Sequence, residues 1–160
     1  MRRYPYFKPA QLCTDGTPAP AFLQLSVERA VRFEEVDSMG IVWHGRYPSY
    51  FEDARVALGE HFGIGYSACA REKIPAPVKQ MYIDYSVPLH FGQVCTITVR
   101  LYWSEAARMN YSYIIHDDGG VRTTTGYTVQ MFISQTGEFL MAQPKFYADF
   151  CQRWKNGTIC

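Results

Sequence analysis

The stretch that decides the fold is Glu34-Glu35-Val36-Asp37-Ser38-Met39-Gly40-Ile41-Val42-Trp43-His44-Gly45-Arg46-Tyr47. An extended, alternating segment leads into the carboxylate of Asp37, a short loop containing Gly40 follows, and an amphipathic helix begins near Tyr47. This order places an acid beside the positive end of a helix, where backbone N–H groups are free to bind an oxygen anion. A carboxylate next to such donors is sufficient for acyl transfer or hydrolysis.

The residues after this loop have the period of a helix. Their aromatic and apolar side chains recur at intervals of three and four and define one helical face: Tyr47, Tyr50, Phe51, Ala54, Leu58 and Phe62. The charged residues of the segment, Arg55 among them, fall mostly outside that face. Pro48 suits a first helical turn and Gly63 suits a C-terminal cap, so we expect one long helix between them.

Strand-like alternation flanks this helix on both sides. Residues 27–34 alternate with a period of two, and four later segments do the same, at 81–87, 95–103, 109–115 and 127–133. Hairpin-length connections such as Asp117-Asp118-Gly119-Gly120 imply antiparallel pairing. A short strand at 138–141 and a short helix at 145–154 complete the pattern. The expected fold class is α+β, with an antiparallel sheet of five or six strands against one long helix.

The proline content separates the start of the chain from the rest. Residues 1–25 contain four prolines and one glycine, and regular alternation begins only near Ser26. We therefore expect an N-terminal extension over 1–25, a single domain over 26–154 and a tail over 155–160.

Composition narrows the classes of function. The formal net charge is +1 at pH 7 and the basic residues are scattered, which argues against a nucleic-acid partner. No apolar run approaches the ~18–20 residues of a membrane span, so no membrane association is expected. The five cysteines have no C-x-x-C pair and no zinc spacing, which favours reduced thiols in a cytoplasmic protein. The histidines lack partners at ligand spacing, so no metal site is expected.

Three motifs, in order along the chain, resemble those of the hot-dog-fold acyl-CoA thioesterases, in the branch of 4-hydroxybenzoyl-CoA thioesterase and YbgC-like proteins. The first is the acidic-acidic-x-Asp-x-x-Gly pattern that begins at Glu34. The second, Glu52-Asp53-Ala54-Arg55, is similar to the family's Glu-x-Ala-Arg on the helix. The third runs from Ile83 to Gly92 and is similar to a strand that ends in Tyr-x-x-Pro and a glycine turn. The resemblance covers about residues 26–150 and implies a hot-dog fold, in which the sheet wraps around one long central helix.

This resemblance implies roles for particular residues. Asp37 aligns with the catalytic carboxylate, which is either the nucleophile or the general base. The backbone N–H at His44, together with that of Gly45, would polarise the thioester carbonyl from the helix start. Arg108 lies where related enzymes contact the phosphates of coenzyme A. Coenzyme A is part of the substrate, no separate cofactor is implied, and the family forms homodimers or homotetramers with the site at the subunit boundary.

Aromatic side chains around the helix start suggest the nature of the acyl group. Trp43, Tyr47, Tyr50 and Phe51 are the candidates for lining an apolar, confined pocket, which favours a neutral acyl group. Arg46 stands where the family usually has asparagine, and it could instead pair with a carboxylate at the pocket mouth.

Several alternatives stay open on the sequence alone. Strand alternation puts Glu35 on the same face as Asp37, although ion-paired or solvated roles are expected for both Glu34 and Glu35. A non-catalytic acyl-CoA-binding protein would share the same fold. A hot-dog hydroxyacyl dehydratase is disfavoured, because its Asp-x-Asn-Pro-x-His pattern is absent.

Overall fold

A five-stranded antiparallel sheet forms the centre of residues 6–159, the part of the chain that the computed structural model describes. The strands are β1 (Leu23–Ala30), β2 (Val78–Tyr85), β3 (Val94–Tyr102), β4 (Arg108–His116) and β5 (Arg122–Met131). They lie side by side in the order β1-β3-β4-β5-β2, so β1 and β2 form the two edges. The expected α+β class is confirmed.

The long helix α1 (Tyr47–His61) packs on one face of this sheet, as the helical period predicted. Tyr50 and Phe51 are fully buried there, and the Phe51 ring stacks on Tyr113 of β4 with the ring centroids 4.1 Å apart. Gly126 of β5 permits this approach, because a Cβ atom at that position would lie 2.6 Å from the Phe51 ring. Each large apolar side chain buried in this way contributes roughly 1.5–3 kcal/mol to stability.

Two shorter helices flank this core. Helix α3 (Lys145–Lys155) was expected from the sequence, and its Trp154 packs edge-to-face on Trp103 at 5.3 Å. Helix α2 (Tyr66–Glu72) was not expected, because its seven residues are too few to display a helical period. No helix within residues 6–159 combines the length and apolar character needed to cross a membrane.

The N-terminal segment packs against the sheet on the face opposite α1 and along its edge. The Phe7 ring stacks on Tyr127 at 4.6 Å, the Ala10 N–H donates to the Trp103 carbonyl at 3.3 Å, and the Trp154 indole donates to the Ala21 carbonyl at 3.0 Å. Because β1 begins at Leu23, the last three residues of the expected 1–25 extension belong to the sheet. Residues 1–5 of that extension, and residue 160 of the expected tail, lie outside the described part.

The structure differs from the sequence-based expectation at three further places. The strand expected over 27–34 ends at Ala30, and Phe33–Glu35 forms a 3₁₀ helix instead. The short strand expected at 138–141 is only a single bridge between Ile133 and Phe139. Arg55, expected mostly outside the buried helical face, is 7% exposed because α2 and β4 cover it.

Candidate active site

Asp37 begins a tight turn between two short extended segments. The Asp37 N–H donates to the Ile41 carbonyl at 2.9 Å, and the Gly40 N–H donates to the Asp37 carbonyl at 3.0 Å. Gly40 has a φ of +75°, a conformation that glycine adopts without the penalty of a Cβ atom. The Met39 N–H donates to Asp37 Oδ1 at 2.8 Å, whereas Oδ2 accepts no hydrogen bond within residues 6–159. One carboxylate oxygen is thus held, and the other is available.

The chain enters α1 through a second 3₁₀ helix, His44–Arg46. The Trp43 N–H donates to the Glu35 carbonyl at 2.9 Å, and the Arg46 N–H donates to the Trp43 carbonyl at 2.8 Å. Between these two donors, the N–H groups of His44 and Gly45 have no acceptor in the described part of the chain. Free N–H groups at a helix start carry partial positive charge and are suited to bind an oxyanion.

A surface cleft of about 290 Å³ brings the carboxylate and the helix start together. Asp37, His44 and Tyr47 line it along with Tyr85, at the end of the edge strand β2. The Tyr85 hydroxyl donates to the His44 carbonyl at 3.0 Å, and its ring packs edge-to-face on Tyr47 at 5.1 Å. Burial raises the pKa of both phenols, so they stay protonated at neutral pH. The cleft lining therefore combines one carboxylate, the residue His44 with its free N–H, and apolar walls, whereas Gly45 lies next to His44 but outside the lining.

The buried side chain of Glu35 anchors the loop that contains Asp37. It is 3% exposed, forms an ion pair with Arg29 of β1, and accepts the Tyr50 hydroxyl and the Arg32 N–H at 2.9 Å each. Burial alone would raise the pKa of its carboxyl, but these donors together lower that pKa below its usual value. Arg29 also pairs with Asp53 of α1 at 2.7 Å. These contacts connect the loop to β1 and to α1. The expected ion-paired role of Glu35 therefore has a structural basis.

Several residues proposed from the sequence lie elsewhere. Tyr50 and Phe51 are 0% exposed in the core, so the structure does not support their assignment to an acyl pocket. The half-exposed Trp43 ring lies over Gly45 and outside the lining of the cleft. Arg108 is the first residue of β4 and pairs with Met131 of β5, whereas Tyr85 pairs with Thr124 of β5. Thr124 and Met131 are seven residues apart, which is about 23 Å at the rise of a strand. Within one protomer, Arg108 is therefore too far away to contact the cleft.

Two features of the site were missed by sequence reasoning. Tyr85 was quoted only as part of a motif, although its position beside Pro88 at a strand end marked it as a residue near a turn. The buried cluster around Glu35 could not be found, because it joins residues of β1, the loop and α1 that pattern analysis treats separately.

Solved structures place the fold in a known class. The DHNA-CoA thioesterase from Staphylococcus aureus superposes with a TM-score of 0.76, at 23% identity, over 84% of this chain and 91% of that chain. A hypothetical protein from Staphylococcus aureus, solved in complex with CoA, superposes with a TM-score of 0.74, at 17% identity, over 88% of this chain and 89% of that chain. At these identities the likeness concerns the fold alone, and it defines this chain as a hot-dog protein.

Sequence comparison identifies the family of the chain, whereas the solved structures show only its fold. The family model described as the thioesterase-like superfamily matches residues 31–152, and the chain belongs to that superfamily. YneP of Bacillus subtilis, named as a candidate acyl-CoA thioesterase, is 32% identical over 93 residues, which are 58% of this chain and 67% of YneP. The acyl-CoA thioester hydrolase YbgC of Escherichia coli O157:H7 is 25% identical over 71 residues, which are 44% of this chain and 53% of YbgC. The match thus spans about half the length of YbgC.

Proposed function

We propose that this protein hydrolyses acyl-CoA thioesters, with Asp37 as the catalytic carboxylate and the N–H groups of His44 and Gly45 as the oxyanion site. The observation that carries the proposal is the meeting of Asp37 with an uncapped helix start in one cleft. Membership of the thioesterase-like superfamily, and the names of YneP and YbgC, supply the substrate class.

The geometry suits the charge changes of the reaction. A thioester carbonyl gains negative charge on its oxygen when the carbon is attacked, so fixed N–H donors stabilise the transition state more than the ground state. Asp37 can attack the carbon directly, after which CoA leaves as a thiolate and water cleaves the mixed anhydride. It can instead take a proton from a water that attacks the carbon. After single-turnover hydrolysis in oxygen-labelled water, label in the Asp37 carboxylate identifies the first route, because it arises only when water attacks the Asp37 carbon of the anhydride.

We propose further that the active form is a homo-oligomer in which two β2 strands pair. Within residues 6–159, β2 pairs with β5 on one side only, and it presents exposed apolar side chains such as Val78 and Met81. An edge of this kind invites pairing with another strand. A symmetric antiparallel pair, with full overlap, sets Tyr85 of one copy beside Val78 of the other. Arg108 of the second copy lies at that same end, where it can contact the coenzyme A moiety.

The test is a panel of acyl-CoA esters assayed by release of free thiol. Asp37→Asn keeps the size of the side chain and removes its charge, so we expect normal folding and a loss of kcat of at least ~10²-fold. Asp149→Asn, on the surface of α3, is the matched control and should retain the wild-type rate. A folded Asp37→Asn protein with near-normal turnover would remove Asp37 from its proposed role. Absence of hydrolysis with tight acyl-CoA binding would favour the non-catalytic alternative.

A further inference from the structure

Arg55 of α1 is a buried cation that no carboxylate within residues 6–159 contacts directly. Its Nη2 donates to the Tyr66 hydroxyl at 3.2 Å, and that hydroxyl donates to Glu52 Oε1 at 3.1 Å. Its Nη1 is buried without a hydrogen-bond partner, although the residue is 7% exposed overall. Tyr66 and Tyr113 stabilise the charged guanidinium, but the N–H groups of Nη1 can only donate, and leaving them buried without an acceptor is unfavourable. Nη1 of Arg55 can therefore accommodate one more acceptor.

Space for such an acceptor adjoins Arg55. The guanidinium lines a small cavity of about 20 Å³, enough for a group the size of a water molecule or one end of a larger ligand. Tyr66, Cys69, Ala76 and Gln130 line this cavity and also line an open cleft of about 680 Å³ between α2 and β5. The small cavity at Arg55 therefore adjoins the inner side of the open cleft.

The lining of the two spaces indicates the chemistry of the ligand. The walls of the open cleft are largely apolar and include Pro75, Pro77 and Ile133. At its inner end, the Gln130 side-chain amide already donates to the Ala76 carbonyl at 2.6 Å, which leaves Nη1 of Arg55 as the free donor. A largely apolar cleft that adjoins a buried guanidinium fits a carbon chain with a terminal carboxylate, the partner that a guanidinium binds best.

We propose that the far end of the acyl group enters this cleft and that a carboxylate at that end binds Arg55. The inference rests on the proposed function and on the pairing of β2 strands, because Val78 of one copy, which lines the cleft, would then lie beside Tyr85 in the active site of the other. The substrate class is then the mono-CoA thioesters of dicarboxylic acids.

This inference differs from the expectation of a neutral acyl group. Of the four aromatic residues behind that expectation, Tyr50 and Phe51 lie in the core and Trp43 lies outside the cleft lining, whereas Tyr47 lines the cleft. Arg46, the cation considered from the sequence, is exposed and donates to the Glu34 carbonyl at 3.2 Å. Arg55 is a buried cation that adjoins the largely apolar cleft, and Lys73 is a second cation in the lining of that cleft.

The decisive comparison is between esters that differ only in the terminal carboxylate. Succinyl-, glutaryl- and adipyl-CoA are assayed against butyryl-, pentanoyl- and hexanoyl-CoA, and we expect kcat/KM of the wild type to favour the carboxylate at one chain length by at least ~10-fold. Arg55→Met should abolish that preference and leave kcat/KM for the neutral ester within about threefold of the wild-type value. Arg55→Lys should keep part of the preference and guards against misfolding of the methionine variant. Arg71→Met, an exposed arginine of α2 paired with Glu72, is the control and should behave as the wild type.

A binding measurement separates this inference from the proposed activity. Calorimetry with the thioether S-hexyl-CoA and with its ω-carboxyl analogue requires no hydrolysis. The carboxyl analogue should bind the wild type more tightly than S-hexyl-CoA does, and the two thioethers should bind Arg55→Met equally. Equal binding, together with equal kcat/KM for the two ester series, overturns the role of Arg55 and leaves thioester hydrolysis standing. Arg55-dependent binding without hydrolysis of any ester removes the proposed activity and keeps the anion site.

Discussion

Glu35 shows how a residue outside the cleft can control the carboxylate proposed for catalysis. Its side chain is buried against Arg29 and Tyr50, while its carbonyl accepts the N–H of Trp43, directly before the helix start. The two halves of the proposed site, the turn at Asp37 and the donors at His44, are therefore held by the same residue. Positioning of this kind affects the rate, because a small displacement of reacting groups reduces turnover strongly.

We predict that Glu35→Gln destabilises the protein by about 1.5–3 kcal/mol at pH 7, because it removes the charge-assisted contacts of Glu35 while Arg29 keeps its pair with Asp53. The folded-state pKa of Glu35 is lowered, so its stabilising effect is fully present above the usual value of 4.5 and is lost as the pH falls through the lower folded value. The gap in unfolding free energy between wild type and variant should therefore close in acid. Urea unfolding across pH measures it, with exposed Glu34→Gln as control. A gap that persists unchanged at low pH would contradict this assignment.

At the scale of elements, the packing of α1 on the sheet depends on two glycines. Gly126 lies beneath the Phe51 ring, and Gly59 of α1 approaches Gly65 so closely that a Cβ atom would lie 2.8 Å from the Gly65 Cα. Gly126 allows α1 to approach the strands, and Gly59 allows α1 to approach the start of α2. The site thus depends on backbone approach as well as on its own residues.

Gly126→Ala should destabilise the protein by about 1–3 kcal/mol, because the added methyl group would clash with the Tyr82 carbonyl oxygen of β2 and would lie 2.6 Å from the Phe51 ring. Gly119→Ala is the matched control, since its Cβ atom would meet only the Asp117 carboxylate at 3.4 Å in an exposed turn. Thermal and urea unfolding of the two variants provide the comparison. If Gly126→Ala were as stable as Gly119→Ala, the contacts of β5 with α1 and β2 at this position would be less tight than the structure shows.

The same elements show what sequence can predict. Helix α1 and the later strands were found because their side chains repeat with periods that follow from helix and strand geometry. The burial of Arg55 was missed because it depends on α2 and β4, which approach α1 only in the folded chain. Tyr50 and Phe51 were assigned to a pocket because an aromatic helical face predicts burial but does not say whether a ligand or a sheet covers it.

For the whole molecule, the question is whether one chain contains a complete site. The cleft holds the carboxylate and the backbone donors, but Arg108 and the apolar cleft at Val78 lie at the opposite end of β2. A two-fold pair of β2 strands would join these ends, and it would also cover an exposed sheet edge. Assembly and activity are therefore expected to be lost together.

We predict that sedimentation equilibrium gives a multiple of the 18.4 kDa chain mass and that Met81→Lys shifts it toward the monomer. Met81 lies near the middle of β2, where a symmetric strand pair would bring the two introduced lysines close together and make them repel. The monomeric variant should keep the stability of its own sheet and lose acyl-CoA hydrolysis, because its cleft lacks the groups of the second copy. Met141→Lys, at a position that is 96% exposed, controls for an added charge and should leave mass and rate unchanged. A Met81→Lys monomer with the wild-type rate would show that one chain carries a complete site, and Arg108 and the cleft at Val78 would then have no part in hydrolysis.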